Sequence, residues 1–148
     1  MEGNNLKILI FSLNNEYFAT DIGQVERIIG YEKPTVIPDS PSYIDGVIKH
    51  EGKILPILNL NKRFSYIDKE SEGRKIIIVK RDNRQFGIVV DNVYEVKTVD
   101  LNLLEGVPPI TNGLREEYIS GLIKLEDRIV ILLNLDRVLS EDDETKIF

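Results

Sequence analysis

An internal repeat is the feature of this chain that most restricts its fold. The segment from Tyr43 to Phe64 returns 75 positions later as Tyr118 to Leu139, and ten of the 22 aligned positions are identical. A weaker match at an offset of 68 aligns Asn15, Phe18 and Val25 with Asn83, Phe86 and Val93. Because this period is too long for a solenoid of short repeats, the sequence predicts two similar subdomains.

The length allows one domain, or two small subdomains that share a core. A chain of 148 residues buries roughly 70% of its unfolded surface on folding, so neither disulfides nor metal are needed for stability. We predict a first subdomain over about 6–64, a linker over 65–73, a second subdomain over 74–140 and an acidic tail over 141–148.

Composition excludes several classes of function. The chain has no cysteine, which fits a reducing compartment and removes thiol catalysis and thiolate metal sites. The 25 acidic residues outnumber the 19 basic ones, so the net charge is −6. Since phosphate backbones attract clusters of Lys and Arg, this balance argues against general nucleic-acid binding.

The distribution of apolar residues predicts a cytoplasmic protein without membrane insertion. Residues Met1–Asn5 are polar and acidic, unlike the basic start and apolar run of a signal peptide. The longest uninterrupted apolar run is the five residues Ile129–Leu133, far short of the roughly 20 that span a bilayer.

Four β-hairpins can be predicted from runs of β-forming residues around short turns. Their arms are Leu6–Leu13 with Glu16–Ile22, Tyr43–His50 with Lys53–Leu60, Lys75–Arg81 with Arg84–Asp91, and Tyr118–Leu125 with Arg128–Leu135. Continuous apolar runs such as Ile76–Val79 indicate strands covered on both faces.

Shorter elements complete the prediction. Asn59 and Asn134 are helix-capping residues at the start of two short helices, 59–64 and 134–139. The segment Ile22–Ile29 is predicted as a turn leading into a strand. Pro56 should lie at an edge or a bulge, because it cannot donate a ladder hydrogen bond. The fold class is therefore all-β, with two barrels of about five strands and short helices.

No group of residues looks catalytic. His50 is the only histidine, and Leu125 occupies its position in the second copy, so a metal site or a catalytic triad lacks partners. The paired carboxylates at 116–117 and 142–144 lie in loop or tail sequence and are predicted to be solvated. Gly46 and Gly121 occupy equal positions and indicate close backbone approach or a strand bend. No cofactor, metal or catalytic residue is predicted.

Six stretches share the order and spacing of one known family. They are Asp21–Val25, Ile29–Tyr31, Ser42–Ile48, Gly52–Ile57, Gly87–Val93 and Gly121–Leu139. Each is a weak signal alone, but together, over roughly 7–140, they resemble the CheW family of bacterial chemotaxis coupling proteins.

The resemblance implies a two-barrel, SH3-like architecture without enzymatic activity. It also implies an adaptor, mainly monomeric when free, that joins the cytoplasmic tip of a chemoreceptor to the regulatory domain of the chemotaxis histidine kinase. In the family, the kinase contact joins related barrels, and the receptor tip docks in the groove between the two barrels. The partner-binding residues predicted on this basis are Val25, Arg27, Ile28, Gly46, Val47, Ile48, Glu51, Gly52, Val93 and Val96, and about half of them are expected to be core.

The chain departs from the family pattern at two charged positions. Arg27 stands where the family usually has Glu, and Glu51 stands where it usually has Arg. Because family members generally pair these charges, we predict an ion pair of reversed polarity. We expect Arg27→Glu to disrupt binding or folding and Glu51→Arg to restore part of the loss. Asn59 and Asn61 replace a common Asp and Arg, and the alternative for all four changes is drift on a solvated face.

Two other functions stay open at this point. The chain could be a detached regulatory module of a histidine kinase outside chemotaxis, because the same barrel surfaces would serve that role. It could also be a small-ligand-binding barrel, which would need a cavity with a few convergent polar groups. The predicted interiors are rich in Ile, Leu and Val, which disfavours the ligand-binding barrel.

Overall fold

The computed structural model describes residues 4–107 and 116–138, and strands dominate this part of the chain. Its strands are β1 (Asn5–Leu13), β2 (Glu16–Asp21), β3 (Val25–Gly30), β4 (Ile44–His50), β5 (Lys53–Asn59), β6 (Lys75–Arg81), β7 (Arg84–Val90), β8 (Asn92–Asp100), β9 (Leu104–Glu105), β10 (Ile119–Lys124) and β11 (Ile129–Leu133). The four predicted hairpins are present as β1–β2, β4–β5, β6–β7 and β10–β11. The all-β class is confirmed.

The short elements also follow the prediction. Helix α1 (Leu60–Arg63) and helix α2 (Leu135–Val138) follow the last strand of each copy. The Asn59 side chain accepts a 3.1 Å hydrogen bond from the backbone N–H of Lys62, which satisfies one free donor at the helix start. A 3-10 turn over Ile22–Gln24 leads into β3.

The strands form two sheets that exchange hairpins between the two halves of the chain. One sheet has the order β3-β6-β7-β5-β4, and the other, within the described residues, has the order β8-β1-β2-β11-β10-β9. Hairpin β1–β2 of the first half thus lies with strands of the second half, and β6–β7 lies with strands of the first. The predicted contiguous subdomains, 6–64 and 74–140, therefore do not correspond to the sheets. The repeat could not reveal this exchange, because hairpins of similar sequence can occupy the same position in either sheet.

Each sheet curls around its own apolar interior, because strands from both of its edges contribute to one cluster. We call the β3-β6-β7-β5-β4 sheet barrel one; its interior includes Ile29, Ile48, Leu55, Ile57, Ile76, Ile78 and Val89. We call the other sheet barrel two; its interior includes Ile8, Ile10, Ala19, Val99, Leu104, Ile123, Val130 and Leu132.

A third and larger apolar cluster lies between the barrels. It takes Ile77 and Val79 from the strand whose Ile76 and Ile78 point into barrel one. Strands β1 and β7 contribute to it as well, through residues that include Leu9, Phe11, Leu13, Phe86, Ile88 and Val90. The continuous apolar runs in the sequence are thus explained, since these strands are buried on both faces.

Gly46 allows the close backbone approach that its place in the repeat predicts. It has φ 138°, and a Cβ built there would lie 2.0 Å from the carbonyl oxygen of Thr35. The backbones of Thr35 and Val47 exchange two hydrogen bonds of 2.9 Å beside it. The strand register shifts at this point, as it does at Gly121 in the second copy. A residue with a side chain cannot replace Gly46 without moving the backbone.

Pro56 does not lie at an edge or a bulge, in contrast to the prediction. It faces Val47 within β5, which lies between β4 and β7. Val47 directs its own backbone hydrogen bonds away from β5, to Thr35, so the nitrogen of Pro56 faces the β7 side. Pairing with β7 covers only Ile57–Asn59, and the missing N–H of Pro56 therefore interrupts no ladder.

The predicted linker begins as a packed segment. Tyr66 packs against the central cluster, and its ring meets the Phe64 ring edge-on at 6.2 Å. Arg74, at the other end, is buried and forms an ion pair with Asp68. Between hairpins β6–β7 and β10–β11, the chain forms β8 and the short strand β9. The predicted acidic tail, 141–148, lies outside the described residues.

Candidate partner-binding surfaces

Two equivalent surfaces, one on each barrel, carry most of the predicted partner-binding residues. The barrel-one face consists of β3 and the β4–β5 hairpin. The barrel-two face consists of β8 and the β10–β11 hairpin. The repeat relates them, because an offset of 68 carries Val25 to Val93 and an offset of 75 carries Gly46 to Gly121.

On the barrel-one face, an ion pair joins the strand to the hairpin. Arg27 and Glu51 lie 2.7 Å apart, N to O, and their side chains are 58% and 61% exposed. This confirms the pairing predicted from the exchanged charges. Glu51 has φ 50° and forms the hairpin turn together with Gly52. At such exposure the pair contributes only about 0–1 kcal/mol to stability.

On the barrel-two face, a second ion pair joins the same two kinds of element. Arg128 donates a 2.6 Å hydrogen bond to Glu95, and its side chain is only 19% exposed. Its guanidinium also lies over the ring of Tyr17, 4.7 Å from the centroid. The hydrogen bond to Glu95 raises the pKa of Arg128, although burial lowers it. This pair is better placed to stabilise its barrel than the exposed one.

Sequence reasoning missed the second pair, and the repeat gives the position of only one of its two partners. Glu95 stands 68 positions after Arg27, the same offset that links Val25 to Val93. Arg128 stands 75 positions after Lys53, two residues beyond Glu51. The repeat therefore indicates Glu95 as the equivalent of Arg27, but it carries Glu51 to Glu126 and not to Arg128, so it does not identify the pair.

Each face also exposes two aliphatic side chains at equivalent positions. Ile28 and Val96 are exposed on β3 and β8. Ile54 is 72% exposed and its equivalent, Ile129, is 59% exposed. Ile54 and Ile129 were not among the predicted residues, because a continuous apolar strand does not show which positions face outward. Because they occupy equivalent positions on both barrels, these four side chains are candidates for partner contact.

The predicted residues divide by burial. Arg27, Ile28, Glu51, Gly52 and Val96 are exposed, whereas Val25, Val47 and Val93 are partly buried. Two residues require a correction. Ile48 is 6% exposed and packs inside barrel one, and Gly46 is buried beneath Thr35. Neither can contact a partner directly, because both serve the interior of the barrel.

The replacements at 59 and 61 are not drift on a solvated face, because both asparagines are buried. The Asn59 amide donates a 3.0 Å hydrogen bond to Asp45, and the Asn61 amide donates one of 2.9 Å to Asp91. Lys62 completes the first group with a 2.7 Å contact to Asp45, and this hydrogen bond raises the pKa of Lys62 more than burial lowers it. Asn59 and Asn61 therefore each donate a hydrogen bond to a carboxylate from a buried position.

Arg63 joins the two copies of the repeat at the central cluster. Its Nε donates a 2.8 Å hydrogen bond to the carbonyl of Val138, the residue 75 positions later. Its guanidinium lies 4.3 Å from the ring centroid of Tyr43 and 5.3 Å from that of Tyr118. These two tyrosines are themselves equivalent, so one cation links both copies.

His50 lies in the barrel-one hairpin, where its Nε2 is 3.8 Å from Glu51. Across the described ranges, no group of three or more His, Cys, Asp or Glu side chains could hold a metal ion.

A polar cleft of about 400 Å³ lies outside both barrels, lined by residues that include Asn15, Lys69 and Asp91. No helix within the described residues is long and apolar enough to cross a membrane.

Two linked β-barrels, each presenting a face built from one strand and one hairpin, define a class of all-β scaffold proteins. The family model of the CheW-like domain matches residues 7–143, and the chain belongs to this family.

Named relatives agree with this assignment. The chain is 33% identical over 138 residues to a chemotaxis protein CheW of Klebsiella aerogenes, covering 93% of this chain and 83% of the relative. It is 31% identical to one of Bacillus subtilis, covering 92% and 88%. A crystal structure of a scaffolding protein CheW from Thermoanaerobacter tengcongensis matches with a TM-score of 0.85 at 33% identity, covering 93% of this chain and 90% of that one. The predicted two-subdomain, CheW-like fold and the role of a chemotaxis adaptor are confirmed, and the alternatives are not favoured.

Proposed function

We propose that this chain binds the cytoplasmic tip of a chemoreceptor and the regulatory domain of a chemotaxis histidine kinase, and that it does so without catalysing a reaction. The observation that carries the proposal is that one chain contains two linked barrels, so that the barrel-one face and the region between the barrels can serve different partners. An adaptor needs separate surfaces for separate partners, and a duplicated barrel provides them. A cytoplasmic location and a mainly monomeric free state are part of the proposal.

The barrel-one face is proposed as the kinase contact. It combines the exposed Ile28 and Ile54 with the exposed Arg27–Glu51 pair, an apolar centre with charges that fix orientation. The receptor tip is proposed to dock along the groove between the barrels. Val25 and Val93 are partly buried against the central cluster at equivalent positions on the two sides, which suits a helical tip that contacts both barrels.

Co-sedimentation of the purified chain with receptor tips and with the kinase regulatory domain from the same cell tests the proposal. We expect binding to each partner and a ternary complex. Binding to the kinase domain alone would favour a dedicated kinase regulator, and binding to neither would contradict the adaptor role. Size-exclusion chromatography with light scattering checks the free monomer.

Two matched variants locate the kinase contact. Ile54→Glu and Ile129→Glu place a charge at equivalent, well-exposed positions, so both variants should remain folded. We expect Ile54→Glu to weaken kinase binding at least about tenfold, because it places an unpaired charge in an apolar contact, and Ile129→Glu to leave it within about twofold. Equal effects would contradict the assignment of the kinase to barrel one.

A further inference from the structure

The ion pairs of the two faces have opposite polarity. On barrel one the strand supplies the base, Arg27, and the hairpin supplies the acid, Glu51. On barrel two the strand supplies the acid, Glu95, and the hairpin supplies the base, Arg128. The exposed aliphatic positions are nevertheless the same on both faces. Charge order is therefore the feature that most clearly distinguishes two otherwise similar surfaces.

Because the barrel-one pair is exposed, it is poorly placed to stabilise the fold. Both of its side chains are more than half exposed, and surface pairs of this kind stabilise a fold very little. The charges of Arg27 and Glu51 are thus available to a partner, whereas Arg128 is largely covered and is engaged by Tyr17.

We infer that the polarity of the Arg27–Glu51 pair is a specificity determinant of the barrel-one face. It selects a kinase surface that places an acidic group opposite Arg27 and a basic group opposite Glu51, and it rejects a surface suited to the reverse order. This inference rests on the proposed function. Juxtaposed like charges are an effective way to exclude a wrong partner, because each becomes desolvated beside its own sign.

The test distinguishes the effect of the order of the two charges from the effect of having an ion pair at all. The double variant Arg27→Glu/Glu51→Arg keeps an ion pair, the composition and the net charge, but reverses the order of the charges. Arg27→Glu alone breaks the pair. Lys97→Glu, at an exposed position of β8 in barrel two, changes the net charge by the same amount as Arg27→Glu and serves as the control. Each protein is titrated with the kinase regulatory domain from the same cell.

We expect the double variant to unfold within about 3 °C of the unaltered chain and to bind the kinase domain at least about tenfold more weakly. Its residual binding should strengthen with added salt, because screening weakens repulsion, whereas binding of the unaltered chain should weaken. Lys97→Glu should bind within about twofold of the unaltered chain.

Restoration of unaltered affinity in the double variant would overturn the inference, because the presence of the pair and not its polarity would then matter. Equal loss in Lys97→Glu would also overturn it, since overall charge would account for the effect. If the unaltered chain does not bind the kinase domain, the proposed function itself fails, and this outcome is distinct from the other two.

Discussion

The two barrels share an architecture but use equivalent positions differently. In barrel two, the largely buried Arg128 connects the hairpin to β8 through Glu95, and its guanidinium also contacts the ring of Tyr17. Barrel one makes the same connection with an exposed pair, but its hairpin is also held by the two hydrogen bonds between Thr35 and Val47 beside Gly46. Duplication thus preserved the connection between strand and hairpin while its chemistry diverged, and only in barrel one are both charges of the pair more than half exposed.

The largest difference between the copies is expected at the equivalent glycines. Gly46→Ala should destabilise the fold by about 3 kcal/mol or more, because φ 138° is strained for alanine and the new Cβ meets the backbone of Thr35. Gly121→Ala should cost about 2 kcal/mol. The new Cβ meets the Leu104 side chain at 2.6 Å and the carbonyl oxygen of Glu105 at 3.0 Å, but Gly121 has no positive φ to add strain. Urea unfolding measures both, and equal losses would remove this contrast.

The next difference concerns the two ion pairs. Arg128→Ala should cost about 2 kcal/mol, because it removes a charge-assisted hydrogen bond and a cation–π contact at a largely buried position. Arg27→Ala should change stability by about 0–1 kcal/mol. Thermal unfolding at low and high salt checks this prediction. A larger loss for Arg27→Ala would show that the exposed pair is the structural one.

A smaller contrast is expected at the two helix-capping asparagines. Asn59→Asp should cost about 1–2 kcal/mol at neutral pH, because it places a second carboxylate beside Asp45 at 3.0 Å. Asn134→Asp should change stability by less than about 0.5 kcal/mol, since either residue caps a helix. The second copy has Ser120 where the first has Asp45, so no second carboxylate stands at the position that opposes Asn59 in the first copy.

The pH dependence distinguishes this mechanism from a packing defect. The charge of the neighbouring carboxylate raises the folded-state pKa of the new acid at position 59 above its unfolded value, so the penalty is present at neutral pH and disappears as pH falls through the raised pKa. Unfolding measured between pH 7 and pH 4 should therefore show the stability of Asn59→Asp approaching that of the unaltered chain. A constant difference across this range would contradict the prediction.

A loss smaller than those expected for Gly46→Ala, Arg128→Ala and Asn59→Asp is expected where the copies meet. Arg63→Met keeps the aliphatic stem but removes the hydrogen bond to Val138 and the contacts with Tyr43 and Tyr118. The cost should be about 1 kcal/mol. Chemical denaturation gives this value, and a single cooperative transition should persist because the apolar central cluster remains. Separate transitions would show that Arg63 couples the barrels.

Much of the fold follows from the sequence, because strand length, turn residues and helix caps are local signals. The Arg27–Glu51 contact could be predicted as well, because both charges have the opposite sign to the family pattern, and such a paired change indicates proximity. The placement of the hairpins could not. Strands β1 and β6 both offer apolar faces to two cores, so local pattern does not decide which barrel each joins. The burial of Ile48 and the exposure of Ile54 were equally hidden, since both occur in strongly apolar strands.

The exchange of hairpins gives the two barrels different positions in the order of synthesis. Every strand of barrel one lies between residues 25 and 90, so this barrel can close while the chain is still being made. Barrel two needs β1 from the beginning and β11 from the end, and its parallel pairing of Tyr17 with Val130 spans most of the chain. Because such distant closure is slow, we expect barrel one to resist protease in ribosome-bound chains before barrel two does. The face proposed to bind the kinase would then form first, and β11 would complete barrel two.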